Sequence, residues 1–123
     1  MKTNDELPLV GIVGPCGAGK STLAEKLKSF GVPTRHIAQE HSYVPYMWLR
    51  ITNPDVLVYL DCSYAQTVHR RNLNWTVGEY QEQLRRLAHA RQHANLFIQT
   101  DALTPNDIFM QVINYLREHG YPI

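Results

Sequence analysis

Two runs of apolar residues predict strands that are buried on both faces of a sheet. Residues 7–13 form the first run, and residues 55–61 form the second, in which apolar side chains stand between two carboxylates. Continuous apolar runs that include β-branched residues are typical of parallel sheets, because helices cover both faces of such sheets. Weaker patterns predict two further strands, over residues 35–40 and 96–99.

Helical periodicity occupies the segments between these strands. A helix is predicted from Lys20 to a stop at Gly31, and the last helix begins after Thr104, where Pro105 and Asp107 complete a helix-start pattern. Further helices are expected over residues 46–51, 64–72 and 77–93. This alternation predicts one three-layer α/β domain, spanning residues 1–123, with a mainly parallel sheet of about four strands. Ligands bind such sheets at the carboxyl ends of the strands.

The composition excludes several classes of function. The chain has 123 residues, of which 44% are apolar, so it can fill one core without disulfides. Its formal net charge of +1 provides no global field for a nucleic acid or an anionic membrane, and its two cysteines are too few for a disulfide framework. No apolar run reaches the length of a signal-peptide core or a membrane span. We therefore expect a cytoplasmic protein that binds neither membranes nor nucleic acid.

A glycine-rich motif after the first strand indicates phosphate binding. Residues 14–21 match the pattern G-x-x-x-x-G-K-[ST] in full, between a predicted strand and a predicted helix. Backbone N–H groups and the helix N-terminus would surround a phosphate, Lys20 would reach the β- and γ-phosphates, and the Ser21 hydroxyl would bind Mg²⁺. The predicted nucleotide-binding residues of this segment are Gly14, Pro15, Cys16, Gly17, Ala18, Gly19, Lys20, Ser21 and the neighbouring Thr22.

The motif and several later features together resemble the P-loop nucleoside and nucleotide kinases. These features are Pro54-Asp55 at the start of the strand that ends in Asp61, the basic pair Arg70-Arg71, and Asp101 after the last strand. The resemblance implies that the protein binds ATP with Mg²⁺. It also implies that Arg70 and Arg71 belong to a lid over the phosphates, and that the loop at Asp101 contacts the base.

One departure from those kinases concerns the segment between Gly31 and Pro54. This segment is too short for the separate acceptor-binding lobe that they carry there, so the small-molecule acceptor is left open. Its large apolar residues have two interpretations, and they are Tyr43, Tyr46, Met47 and Trp48. They form an apolar surface that a homodimer or another partner covers, or they fill the core under a short helix.

Two carboxylates are candidates for the acid of the site. If the strands that end near Glu40 and at Asp61 flank the first strand, both side chains emerge beside the phosphates. Either carboxylate can hold Mg²⁺ or take a proton from an acceptor hydroxyl. The apolar strand before Asp61 favours Asp61, together with Ser21, as a ligand of Mg²⁺. In the kinases that the chain resembles, the functional acid usually follows the strand nearer in sequence to the helix after the glycine-rich loop, and this resemblance favours Glu40 as the base.

A local cluster of positive charge follows the second apolar strand. Five of the eight arginines lie within residues 70–91. Arginine stabilises the charge that spreads over a transferring phosphoryl group, and Arg70 and Arg71 are the preferred candidates for this role. We expect Arg91, on the apolar stripe of its helix, to point inward or along the site, and Arg85 and Arg86 to face solvent.

These residues fit two functions. The leading hypothesis is a small Mg²⁺-dependent ATP phosphotransferase, with an acceptor near Glu40 and His41. The alternative is a nucleotide-dependent switch or slow hydrolase that acts through a protein partner. No Asn-Lys-x-Asp guanine signature is present, which favours ATP over GTP. The predicted catalytic residues are Lys20, Glu40, Asp61, Arg70 and Arg71.

Overall fold

The computed structural model describes residues 6–71 and 74–123, and strands alternate with helices along the chain. The strands are β1 (Val10–Val13), β2 (Thr34–His36), β3 (Val56–Asp61) and β4 (Leu96–Gln99). The helices are α1 (Lys20–Ser29), α2 (Met47–Ile51), α3 (Tyr64–Arg71), α4 (Val77–His93) and α5 (Pro105–Glu118), with a 3-10 turn over Gln39–His41. The predicted end of α3 at residue 72 lies outside the described residues. None of the described helices is long and apolar enough to cross a membrane.

The four strands form one parallel sheet in the order β2-β1-β3-β4. β1 therefore lies between β2 and β3, and its Ile12 pairs with His36 on one side and Val58 on the other. This arrangement confirms the predicted α/β fold with a parallel sheet, and it is consistent with a three-layer P-loop-like architecture. Because the strands run in one direction, the segments that follow β1, β2 and β3 meet at one edge of the sheet.

Apolar clusters on both faces of the sheet hold the helices in place. On one face, strands β1, β3 and β4 pack against α1 and α5. On the other face, Leu57 and Tyr59 of β3 pack with Trp48 of α2 and Leu87 of α4. Burial of each large aliphatic side chain stabilises the fold by about 1.5–3 kcal/mol. The large aliphatic members of the first cluster with no exposed area are Val10, Ile12, Leu27, Val58, Leu60, Val112 and Leu116.

Two of the predicted strands are shorter in the structure. β1 begins at Val10 because Pro8 has no N–H for a ladder, and because the N–H of Leu9 donates to the Asp55 carboxylate at 2.7 Å. β2 ends at His36, and the chain turns at Ala38 (φ −84°, ψ 48°) into the 3-10 turn. This turn carries the residues that follow β2 into the interior of the fold instead of continuing an extended strand.

Candidate functional site

A cavity of about 640 Å³ opens at the carboxyl edge of the sheet. Residues 16–23, which span the loop after β1 and the first turn of α1, line one side of it. The segment after β2 contributes His36, Glu40 and His41, and α3 contributes Arg70. An apolar wall at the start of α5 is formed by Leu103, Pro105 and Ile108. The structure thus brings the glycine-rich motif together with Glu40 and Arg70.

The N-terminus of α1 differs from those of two other long helices. Capping boxes provide hydrogen-bond partners for backbone N–H groups at the start of two helices. Thr76 and Glu79 do so in α4, and Thr104 and Asp107 do so in α5. No side chain of the described residues caps α1, whose N-cap residue is Gly19. The first turn of a helix leaves N–H groups without intrahelical partners, and these groups favour anions. The start of α1 is therefore suited to bind a phosphate in the cavity.

Glycines of the motif allow neighbouring segments to approach the loop closely. A Cβ on Gly14 would lie 2.3 Å from the carbonyl oxygen of Leu60, and a Cβ on Gly17 would lie 3.1 Å from Cα of Thr67. Gly17 and Gly19 have φ angles of 87° and 97°, which glycine adopts without a steric penalty. The loop is therefore packed between β3 and α3, and its curvature depends on these residues.

Lys20 is buried beside the cavity and makes three polar contacts. Its Nζ donates to the carbonyl oxygens of Gly14 at 2.6 Å and Pro15 at 3.0 Å, and to Glu40 Oε2 at 2.7 Å. The side chains of Lys20 and Glu40 are 5% and 4% exposed. Water therefore screens this ion pair little, and removal of either partner would leave a buried charge. A phosphate would offer Lys20 another strong charge-assisted partner.

Arg70 faces the motif from α3. Its guanidinium donates to Thr100 Oγ1 at 2.9 Å, to the Thr100 carbonyl oxygen and, at 3.6 Å, to Cys62 Sγ. Thr100 is fully buried, and its hydroxyl donates to the Asp61 carbonyl oxygen at 2.7 Å. This network holds Arg70 at the cavity wall. Arg71 ends α3, and its side chain lies outside the described residues.

Ser21 and Thr22 are exposed where α1 meets the cavity, and Ser21 lies close to His36. Ser21 Oγ is 3.5 Å from His36 Nδ1. Burial, and then the positive charge of Lys20, lower the pKa of His36 from its ordinary value, while Glu40 acts in the opposite direction. The imidazole is therefore neutral at neutral pH.

Asp61 and Asp101 do not line the cavity. Asp61 lies on the same face of β3 as Tyr59, and α4 covers that face. Asp101 Oδ1 accepts a hydrogen bond from the Ser63 N–H at 2.9 Å. Burial would raise the pKa of Asp101, but hydrogen bonds from Ser63 and its neighbours outweigh burial and lower it. Of the two candidate acids, Glu40 is the one that contacts the lysine of the motif.

Gln83 is a part of the site that sequence reasoning missed. It is 8% exposed on α4. Its Oε1 accepts from the Cys16 N–H at 3.0 Å, and its Nε2 donates to Cys16 Sγ at 3.2 Å. Gln83 lies on the helical stripe that includes Tyr80 and Leu87, so a polar side chain at an apolar position was the available signal.

Two predictions about arginines of α4 are wrong. Arg91 is exposed, and its guanidinium lies over the Phe97 ring, 5.2 Å from the ring centroid. The buried residue of that turn is Ala90, and one further residue rotates the side chain by about 100° to the outer side of the helix. Arg86 does not face solvent, because its side chain is 20% exposed and its guanidinium lies 4.3 Å from the centroid of the Tyr43 ring.

The aromatic segment after Glu40 divides between the core and the surface. Trp48 is 6% exposed and donates through Nε1 to His89 Nδ1 at 3.0 Å. Tyr43 and Tyr46 are 84% and 45% exposed. Trp48 therefore fills the core of the monomer, and the homodimer stays a prediction.

Comparison with known proteins assigns neither a family nor a function to the chain. Neither protein-family models nor curated proteins match the chain. The glycine-rich loop, the Lys20–Glu40 pair and Arg70, arranged around one cavity, are therefore the observations on which a function must rest.

Proposed function

We propose that the protein is an ATP-binding, Mg²⁺-dependent phosphotransferase of the P-loop type that acts on a small acceptor. The observation that carries this proposal is the convergence of Lys20, Glu40 and Arg70 on one cavity beside the uncapped start of α1. Backbone N–H groups, a lysine and an arginine are the donors that a nucleoside triphosphate requires. The resemblance to P-loop nucleoside and nucleotide kinases supports the same interpretation.

Phosphate binding would exchange the present partners of Lys20. Its Nζ would leave Glu40 and the carbonyl oxygens for the β- and γ-phosphates, while the loop N–H groups hold the chain of phosphates. The exposed hydroxyl of Ser21, at the start of α1, is suited to hold Mg²⁺. When bound, that ion neutralises charge on the phosphoryl oxygens. The apolar wall at Leu103 and Ile108 suits the base and sugar of the nucleotide.

Glu40 is suited to act as the base. Its Oε1 is buried, and among the described residues it has no hydrogen-bond partner. Once Lys20 turns to the phosphates, this carboxylate is available to accept a proton from an acceptor hydroxyl. Arg70, at the cavity wall, would stabilise the charge on the transferring phosphoryl group.

The segment between β2 and β3 favours a small acceptor. It contains the 3-10 turn and the short helix α2, with no separate lobe. His41 is 60% exposed and borders the cavity beside Glu40. An acceptor that carries a hydroxyl or a phosphate would therefore approach from solvent past His41.

A binding experiment tests the nucleotide site. Mg·ATP at a hundred times its dissociation constant should stabilise the wild type by about 2.7 kcal/mol, which a thermal melt detects. Lys20→Ala should lose most of this shift, whereas Lys28→Ala, an exposed change on the same helix, should keep it. Equal shifts in the wild type and Lys20→Ala would exclude the proposed site.

An acceptor screen tests the reaction. ADP release would be followed with Mg·ATP and pools of nucleosides, nucleotides and small alcohols. Release that depends on an acceptor, and that Glu40→Gln reduces, would support the phosphotransferase. Release that no acceptor stimulates would favour a hydrolase or a switch.

One set of contacts favours the switch as a second candidate function. Gln39 donates through Nε2 to the Val44 carbonyl oxygen at 2.9 Å, and its Oε1 accepts from the Trp48 N–H at 2.8 Å. A shift of the neighbouring Glu40 on nucleotide binding would therefore move the exposed surface at Tyr43. Hydrogen exchange of residues 42–51 with and without Mg·ATP would detect this movement.

A further inference from the structure

Three side chains of different chemistry meet at the mouth of the cavity. Cys16 Sγ, a carboxylate oxygen of Glu40 and a ring nitrogen of His41 lie within 4.8 Å of one another. Cys16 belongs to the glycine-rich loop, whereas Glu40 and His41 belong to the 3-10 turn after β2. The proposed function uses Glu40 as the base but requires neither the Cys16 thiol nor the His41 imidazole, so it does not explain why these two side chains meet Glu40.

The distances within the cluster suit one metal ion. Cys16 Sγ is 3.7 Å from His41 Nε2, and His41 Nε2 is 3.9 Å from Glu40 Oε2. Bond lengths of about 2.0–2.3 Å and a tetrahedral angle place the ligand atoms of Zn²⁺ about 3.3–3.6 Å apart. The two pairs that include His41 are close to this spacing, and all three ligand atoms lie within 4.8 Å of one another, so rotation of the side chains would bring them into coordination.

A buried atom without a partner points independently to a cation. Glu40 is 3% exposed, and its Oε1 accepts no hydrogen bond from any described residue. Its other oxygen, Oε2, lies 3.9 Å from His41 Nε2 and is held by Lys20 at 2.7 Å, so Oε1 is the oxygen free to ligate a cation once the carboxylate turns. A buried carboxylate oxygen without a donor is costly, and a metal ion supplies the missing interaction.

The surroundings suit a thiolate ligand and allow entry from solvent. Gln83 Nε2 donates to Cys16 Sγ at 3.2 Å, and hydrogen bonds of this kind orient a metal-bound sulfur. The His41 side chain is 60% exposed, which leaves a path for the ion. Three protein ligands, one of them exposed, leave a fourth position for water.

We infer that Cys16, Glu40 and His41 form a binding site for a single transition-metal ion, with Zn²⁺ as the best match to a sulfur, nitrogen and oxygen ligand set. Binding forms a bond from Cys16 Sγ to the metal, and the thiol proton is released to solvent. The site needs no nucleotide, so it goes beyond the proposed phosphotransferase and does not depend on it.

Titration of the reduced, metal-free protein tests this site. Zn²⁺ should bind at one ion per chain, with release of a proton that appears as a dependence of the binding enthalpy on the buffer. Co²⁺, used as a spectroscopic substitute, should produce the intense near-ultraviolet band of thiolate ligation. Absence of this band in the wild type, with Co²⁺ in excess, would overturn the inference.

Variants distinguish this cluster from other thiols and imidazoles. Cys16→Ser should abolish the band, and His41→Asn, a change at an exposed side chain, should weaken Zn²⁺ binding by at least tenfold. Cys62→Ser and His36→Asn are the matched controls and should keep both signals. Loss of the band in Cys62→Ser with retention in Cys16→Ser would refute the site.

The same variants separate this inference from the proposed function. Lys20→Ala should lose the stabilisation by Mg·ATP and keep the Co²⁺ band. A wild type that gives the band but no response to ATP would refute the phosphotransferase alone. A wild type that responds to ATP but gives no band would refute the metal site alone.

Discussion

The buried ion pair between Lys20 and Glu40 leads to a quantitative prediction about stability. Glu40→Gln keeps the shape of the side chain and an amide oxygen that can accept from Lys20, but it removes the negative charge, so the Lys20 ammonium is left with neutral oxygen partners only. Breaking a buried pair costs about 3–5 kcal/mol, and the remaining carbonyl contacts reduce this loss, so we expect about 2–3 kcal/mol. Lys20→Met leaves the carboxylate without a cation, and we expect a loss of about 3–5 kcal/mol.

The double variant should recover part of these losses. With both charges removed, neither buried group is left uncompensated, so the loss should fall below the sum of the single losses by about 2 kcal/mol. Urea denaturation at neutral pH without nucleotide measures the free energy of unfolding of the wild type, the two single variants and the double variant. If the loss of the double variant equals the sum of the two single losses to within about 0.5 kcal/mol, the two residues are not coupled and the prediction is refuted.

Two controls keep this cycle interpretable. Glu25→Gln makes the same chemical change at an exposed position of α1 and should leave the denaturation midpoint unchanged. A cycle on the exposed pair Glu82 and Arg85 should show no measurable coupling, because solvent screens that pair. Saturating Mg·ATP should also reduce the coupling between Lys20 and Glu40, since Lys20 then has phosphate partners.

Three further predictions follow from the geometry of the loop and the cavity. Gly14→Ala should destabilise the protein by at least about 2 kcal/mol in urea denaturation, since its Cβ would lie 2.3 Å from the Leu60 carbonyl oxygen, whereas Gly78→Ala in α4 has room and should stabilise slightly. Arg70→Ala should slow turnover more than tenfold while weakening ATP binding only modestly, and normal turnover at saturating ATP would contradict its assigned role. With Mg²⁺ on Ser21, whose Oγ lies 3.5 Å from His36 Nδ1, the lowered pKa of His36 should fall further when Mg·ATP binds, so Mg·ATP should bind more weakly as the pH falls through the pKa of the free protein, and NMR titration of the imidazole with and without Mg·ATP measures the change.

Local signals in the sequence determined most of the secondary structure. The predicted ranges of α4 and β4 match Val77–His93 and Leu96–Gln99, and α5 begins at Pro105 as its cap pattern predicts. Apolar periodicity and helix caps depend on residues only a few positions apart, so both can be recognised in the sequence without the fold. The glycine-rich motif is local in the same sense, which is why the loop after β1 could be predicted.

Tertiary structure decided which residues surround that loop. Which of Glu40 and Asp61 contacts Lys20 depends on the 3-10 turn after β2 and on the face of β3 to which Asp61 belongs, and neither can be read from the residues themselves. Gln83 contacts Cys16 across 67 positions of the chain, and Thr100 holds Arg70 across 30. Such contacts form only when the sheet order and the helix packing bring distant segments together, and these are properties of the whole fold.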